Sequence, residues 1–175
     1  MEENKTIIEA LIFASDNPLS ADRVAEIIPD VKKDEINRLI RELMREYEER
    51  RGGLYIQEVA GGFQFRSREN LGSWINRMKG GKSLMLSPAA METLAVVAYR
   101  QPVVKAEIDR VRGVDVSGSL RGLLEKKFVR IMGRKDVPGK PIIYGTTKKF
   151  LEVFNLKDLS ELPTLRELKD LKNET

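Results

Sequence analysis

The chain contains no cysteine and no histidine. Without cysteine there is no disulfide, no thiolate nucleophile and no thiolate metal ligand. Without histidine the usual catalytic triads and the common structural zinc sites fall away as well. Acid–base chemistry would have to rest on Asp, Glu, Lys or Tyr. Aromatic residues make up only 6% of the chain, and no apolar run approaches the ~20 residues needed to span a bilayer. The opening stretch MEENKTIIEALIFASDNP begins acidic and lacks the positive, apolar, small-residue order of a secretion signal. The expectation is a cytoplasmic protein without membrane segment, metal or cofactor.

What the chain does have is charge, 33% of its 175 residues, unevenly distributed. Residues 1–67 carry 10 Lys+Arg against 14 Asp+Glu, a balance of −4. Residues 68–147 carry 15 against 7, a balance of +8, and residues 148–175 carry 6 against 6. An acidic partner would be drawn to the middle segment.

Sliding the sequence against itself by 84 positions exposes an internal repeat. LIFASDNPLSADRVAEI (Leu11 to Ile27) lies over AVVAYRQPVVKAEIDRV (Ala95 to Val111), matching Ile12 with Val96, Phe13 with Val97 and Pro18 with Pro102. The same offset continues without a gap, placing Ile36, Leu39 and Ile40 over Leu120, Leu123 and Leu124. Each copy reads as three helices followed by a hairpin. In the first copy the spacing predicts helices over about 4–16, 22–28 and 34–50, with Asp34 as a cap, then a hairpin over 54–65 with a short tip. In the second, Ser87-Pro88 starts a helix that Pro102 ends. Two shorter helices and the hairpin around GRKDVPGKP (Gly133–Pro141) follow. The order predicts a mostly α chain with small β-hairpins: two tandem winged helix-turn-helix domains, 1–67 and 87–155, joined by a helical linker. That linker, 68–86, has Leu71, Trp74, Ile75 and Met78 at helical spacing and ends in a Gly80-Gly81 joint. A tail, 156–175, closes the chain.

Catalytic readings find little support. KGGKS (Lys79–Ser83) has the end of a phosphate-binding loop, but Asn76 stands where a glycine is needed and a helix, not a strand, precedes it. Glu107, Asp109, Asp115 and Asp136 have no spacing that would pair them in one cleft, and read as solvated surface groups. Nucleic acid is the stronger alternative, since the third helix of such domains enters the major groove. With Leu120, Leu123 and Leu124 turned inward, the helix Ser117–Lys127 exposes Ser119, Arg121, Gly122, Glu125 and Lys126, a poor set for reading bases. The basic wing also carries Val137, Pro138, Pro141, Ile142 and Tyr144, which suit a protein surface better than a phosphate rail. Core packing is an equal reading for Tyr99 and Tyr144.

AYRQP (Ala98–Pro102), RGVDVSG (Arg112–Gly118) and GRKDVPGKPIIYGTT (Gly133–Thr147) stand in this order, with LSPAAMETLAVVAYRQPV before and FLEVFNLKDLSELP after. In these motifs, and over nearly its whole length, the chain resembles segregation and condensation protein B, a non-SMC subunit of the bacterial condensin-like complex. The resemblance implies a non-catalytic homodimer, joined mainly through the N-terminal copies. It would bind the kleisin subunit, segregation and condensation protein A, and through it the SMC ATPase, in chromosome condensation and segregation. The kleisin would then cross the second domain, with Tyr99, Arg100 and Gln101 at one edge and Arg134, Lys135 and Tyr144 near the other. Ile8 and Phe13 are candidates for the dimer contact, core burial serving equally well for both. A winged-helix transcription regulator is the alternative, with DNA contact otherwise at most weak and non-specific.

Overall fold

The computed structural model describes residues 2–80, 86–164 and 167. The chain divides into two units, Met1–Leu84 and Met85–Thr175.

The first unit is built on α1 (Glu2–Ala14), α2 (Ala21–Ile27) and α3 (Lys33–Glu49). Ser20 starts α2 by accepting a hydrogen bond from the Arg23 amide, relieving one of the unpaired donors of the first turn. Asp34 does not cap α3. The cap position is Lys32, with no side-chain bond, and Asp34 sits with Glu35 in the first turn, where their charge opposes the positive helix end. One face of α3 buries Ile36, Leu39, Ile40 and Leu43 against Ile8, Ile12 and Val24. Lys5 of α1 ties the two longer helices together through Glu42 (3.3 Å) and Glu46 (2.8 Å) of α3.

Strands β1 (Leu54–Val59) and β2 (Gly62–Ser67) pair antiparallel in register Leu54–Ser67 to Val59–Gly62. Ala60 (φ 52°) and Gly61 (φ 76°) form the two-residue turn between them, and two positive φ values give it the hand that suits twisted strands. Leu19 bridges to Phe63 through two backbone bonds of 2.9 Å, bringing Pro18 against Gly62. A Cβ on Gly62 would lie 2.7 Å from the Pro18 carbonyl carbon, so only glycine permits this approach. A 3₁₀ turn, Glu69–Leu71, leads into α4 (Gly72–Met78), whose Trp74 and Met78 are exposed. Of the expected Gly80-Gly81 joint, Gly81 lies outside the described residues.

The second unit begins with α5 (Pro88–Arg100), capped by the Ser87 side chain on the Ala90 amide with Pro88 at the first helical position. Strand β3 (Val103–Val104), α6 (Lys105–Arg112) and α7 (Ser117–Glu125) follow. Shifted by 84, Ala21 and Lys33 fall on Lys105 and Ser117, the first residues of α6 and α7. Gly113 ends α6 at φ 71°, the left-handed turn a helix C-terminus commonly takes. Strands β4 (Val129–Arg134) and β5 (Ile142–Thr146) form the second hairpin, and β3 joins it in the order β3-β5-β4. Met132 is the extra residue of a bulge between Ile131 and Gly133. Helix α8 (Lys148–Val153) closes the core of Leu94, Val97, Ile108, Leu120, Leu123, Phe128, Tyr144 and Phe150. Beyond it, Leu156 and Leu162 still pack against that core, and a 3₁₀ turn spans Leu159–Glu161. Most of the remaining tail lies outside the described residues.

Candidate protein-binding surface

The C-terminal end of α5 sets the surface of the second unit. Gln101 is its cap residue, half-buried, and its side chain works inward. Its Oε1 accepts the Thr146 amide (2.8 Å) and its Nε2 donates to the Ala98 carbonyl (3.1 Å), fastening α5 to β5. Tyr99 is 40% exposed, and its hydroxyl donates to the Pro163 carbonyl at 2.8 Å. This holds the segment after α8 beside the helix end. Arg100 points to neither of these partners and stays exposed.

The wing residues divide in the same way. Tyr144 is 8% exposed and belongs to the core, while Arg134 is exposed and donates to the Lys140 carbonyl at 3.0 Å, bracing the loop. Lys135 reaches α6 and pairs with Glu107 at 3.1 Å, so the base of the wing is fastened to that helix.

Of the four carboxylates expected as solvated surface groups, Asp136 is exposed, and Glu107, Asp109 and Asp115, though partly solvated, also have partners within the unit. Glu107 accepts the Val104 amide (3.0 Å) at the start of α6, and this bond, followed by the Lys135 pair, holds its carboxyl below the usual range. Asp109 accepts Lys105 (2.8 Å) and the Val116 amide (2.9 Å), bridging α6 to the start of α7, and is lowered by those two bonds in that order. Asp115 is lowered by the same lysine and then by Ser117. Arg112 pairs with Glu92 of α5 at 2.6 Å. No two of these carboxylates stand free to act as acid and base, and no group of three potential metal ligands occurs among the described residues.

A pH dependence follows with a definite sign. A carboxylate whose pKa is depressed on folding contributes stability that is complete above its unfolded value and is lost as pH falls through the folded one. The second unit should therefore weaken below the ordinary carboxylate range, at about pH 4 and lower. Asp109→Ala should flatten this acid dependence. Urea midpoints of both proteins at pH 7 and pH 3 would measure it, and equal acid losses would overturn the assignment.

Two grooves flank Pro102. One, of about 500 Å³, is lined by Gln101, Pro102, Arg130, Met132, Lys148 and Leu151, among others. The second, of about 430 Å³, lies between the end of α5 and α6 and is lined by Arg100, Val103, Glu107, Arg110 and Val111 besides Pro102. Arg130, Met132 and Lys148 were not among the residues the sequence singled out. The alternation along β4 carries a signal for the first two, since they fall on the opposite face from the buried Val129.

On α7, Leu120 and Leu123 are buried and Arg121 spends its charge on Glu125 (3.0 Å), one turn along. In the first unit Ile8 is completely buried against α3, the core placement that stood as an equal reading beside the dimer contact. Phe13 is 73% exposed and packs edge-on against Phe65, itself 4.9 Å from Tyr47 between ring centres. With Leu54 these rings line a shallow apolar pocket of about 310 Å³. No described helix is long and apolar enough to cross a membrane.

Residues 6–165 match the family described as "Segregation and condensation complex subunit ScpB". Segregation and condensation protein B of Syntrophotalea carbinolica is 44% identical over 99% of this chain and 87% of its own length. The crystal structure of ScpB from Mycobacterium tuberculosis covers 89% of this chain and 96% of its own at 30% identity, with a TM-score of 0.42. A dimer of an ScpB N-terminal domain complexed with an ScpA peptide covers 44% of this chain and 95% of its own at 26% identity, with a TM-score of 0.41. With a family match over most of its length and a relative 44% identical from end to end, the chain belongs to the segregation and condensation protein B family.

Proposed function

We propose that the chain is a non-catalytic, homodimeric scaffold subunit of a bacterial SMC–kleisin complex. It binds the kleisin, segregation and condensation protein A, which links it to the SMC ATPase, and so supports chromosome condensation and segregation during cell division. Its place is the cytoplasm, on the nucleoid through that complex. Residues 1–67 and 87–155 act as two winged helix-turn-helix domains, with 68–86 as linker and 156–175 as tail.

The observation that carries this reading, beside family membership, is how the second unit uses its charges. Asp109 and Asp115 are engaged internally, and Glu107, the one carboxylate that lines either groove, is paired with Lys135, whereas Arg100, Arg110, Arg130 and Lys148 line the grooves on either side of Pro102. A positive, partly apolar surface without an acid–base pair suits an acidic polypeptide and not a reaction. Tyr99, Arg100, Arg134 and Lys135 are the exposed members of the set expected to meet the kleisin. Gln101 and Tyr144 support that surface from behind. In the first unit, Phe13 and its ring neighbours supply the dimer contact. Sequence-reading of DNA is disfavoured, because α7 offers no Asn or Gln and its Arg121 is paired.

Light scattering on a sizing column tests the proposal. The chain alone should elute with the mass of two copies, and addition of the kleisin from the same organism should give a stable, heavier species. A chain that ignores the kleisin would sink the scaffold reading, and steeply salt-dependent DNA binding in its place would favour a transcription regulator.

A further inference from the structure

The groove on the outer face of the second hairpin has a composition that specifies an occupant. Among its nine lining residues are two cations, Arg130 and Lys148, and no carboxylate. Its apolar surface comes from Pro102, Met132, Leu151 and Leu159. Met132 and Leu159 are 47% and 40% exposed and, sharing one groove with Pro102 and Leu151, leave a joined apolar surface open rather than scattered side chains.

Two features of the backbone build this floor. Met132 is the bulge residue of β4, and its sulfur lies across Gly145 of β5. A Cβ there would meet that sulfur at 2.4 Å and the Gln101 Oε1 at 2.9 Å. Glycine at 145 thus lets a flexible thioether lie flat over the strand, an adaptable apolar surface of the kind that receives varied side chains. The rim is cationic. Arg130 spends its Nε on the Thr146 carbonyl (3.2 Å), one of five donors a guanidinium carries. Lys148 is exposed at the first position of α8.

We infer that this groove binds an extended acidic segment of a partner protein, its carboxylates on Arg130 and Lys148 and one aliphatic side chain over Met132 and Leu159. The inference rests on the scaffold reading for the identity of the partner and adds the place and chemistry of the contact. Charge complementarity selects the occupant: nucleic acid would satisfy the two cations and leave the four apolar side chains facing phosphate.

The test uses the full chain and two probes, the kleisin and a fluorescent ten-residue peptide of alternating Glu and Leu. Lys148→Glu is the first variant. A carboxylate in the first turn of α8 favours the helix, so the fold is retained. Leu159→Asp, at an exposed site, places a negative charge in the groove from the opposite wall. Arg121→Glu on α7 is the control. Anisotropy should show the wild type binding both probes, more weakly as salt rises. Lys148→Glu and Leu159→Asp should each lose at least tenfold in affinity for both, and Arg121→Glu should change neither. If the kleisin binds the wild type and both groove variants alike, the groove assignment is overturned and the scaffold reading stands. If the kleisin fails to bind but the acidic peptide binds in a groove-dependent way, the groove stands and the partner's identity is wrong. Loss of binding to both probes by the wild type would overturn the inference, as would a duplex DNA competitor displacing the peptide more effectively than a Glu-Leu peptide does.

Discussion

Phe128→Ala is expected to destabilise the second unit by about 3–5 kcal/mol, the range seen when a buried aromatic side chain is deleted. Phe128 is the largest fully buried side chain described, 1% exposed, at the junction of α7 and β4. Its ring lies 6.4 Å from that of Phe154, with the Lys149 ammonium 5.5 Å from its centre. Its amide is bonded to Leu123 and its carbonyl to Thr147. Truncation therefore opens a void where the end of α7, the start of β4 and α8 converge, and bonded backbone on both sides resists collapse around it. Because domains retain only about 5–15 kcal/mol in total, much of the unit's stability goes with it. Hydrogen exchange of the β4 and β5 amides would read the loss. Trp74→Ala is the control, an aromatic side chain truncated where it is 65% exposed, and should leave protection within the first unit almost unaltered. Equal effects of the two would mean that burial does not govern these sites.

Gly62→Ala should cost the first unit about 1–3 kcal/mol through overpacking against rigid atoms. The added methyl would meet the Pro18 carbonyl carbon at 2.7 Å, its oxygen at 2.8 Å and the Leu19 carbonyl carbon at 2.9 Å. All three are backbone, so no side-chain rotation can relieve the clash. The chain between α1 and α2 would have to lift away, and with it the two Leu19–Phe63 hydrogen bonds, each worth about 1 kcal/mol net. Early loss of protection at the Leu19 and Phe63 amides, together with a lower urea midpoint, is the expected signature. An unchanged midpoint with those amides still protected would show that the approach is looser than described.

The elements most legible in the sequence were those fixed by local chemistry. Ser87-Pro88 marked the start of α5 because cap and first-position proline act within one turn. Asp34 misled because an acidic residue near a helix start serves equally as a cap or as a first-turn charge, and only the backbone distinguishes them. Ile8 and Phe13 show a different limit. Helix α1 carries Ile7, Ile8, Leu11, Ile12 and Phe13 around most of its circumference, so periodicity could not say which stripe meets α3. The repeat did not resolve it, for Phe13 aligns with Val97, which is wholly buried while Phe13 is open. The site was legible only where partners are close in sequence. The bond from Tyr99 to Pro163 spans 64 positions and that from Lys135 to Glu107 spans 28. Neither residue type nor spacing announces such pairs, so the bracing contacts of Tyr99 and Lys135 were not legible in the sequence.

The order β3-β5-β4 sets a hierarchy of opening within the second unit. Tyr144 faces Val103 on one side and Ile131 on the other, and Ile143 lies between Val104 and Gly133. The central strand can lose its backbone partners only if both neighbours leave, whereas the loop beyond Lys135 can open at small cost. Amides of the wing tip should thus exchange within local excursions and those of Ile143 and Tyr144 only when the whole unit unfolds. Such a gradient of lifetimes would let the outer end of the hairpin let go of a bound segment and take hold of it again many times before the core is ever exposed to water.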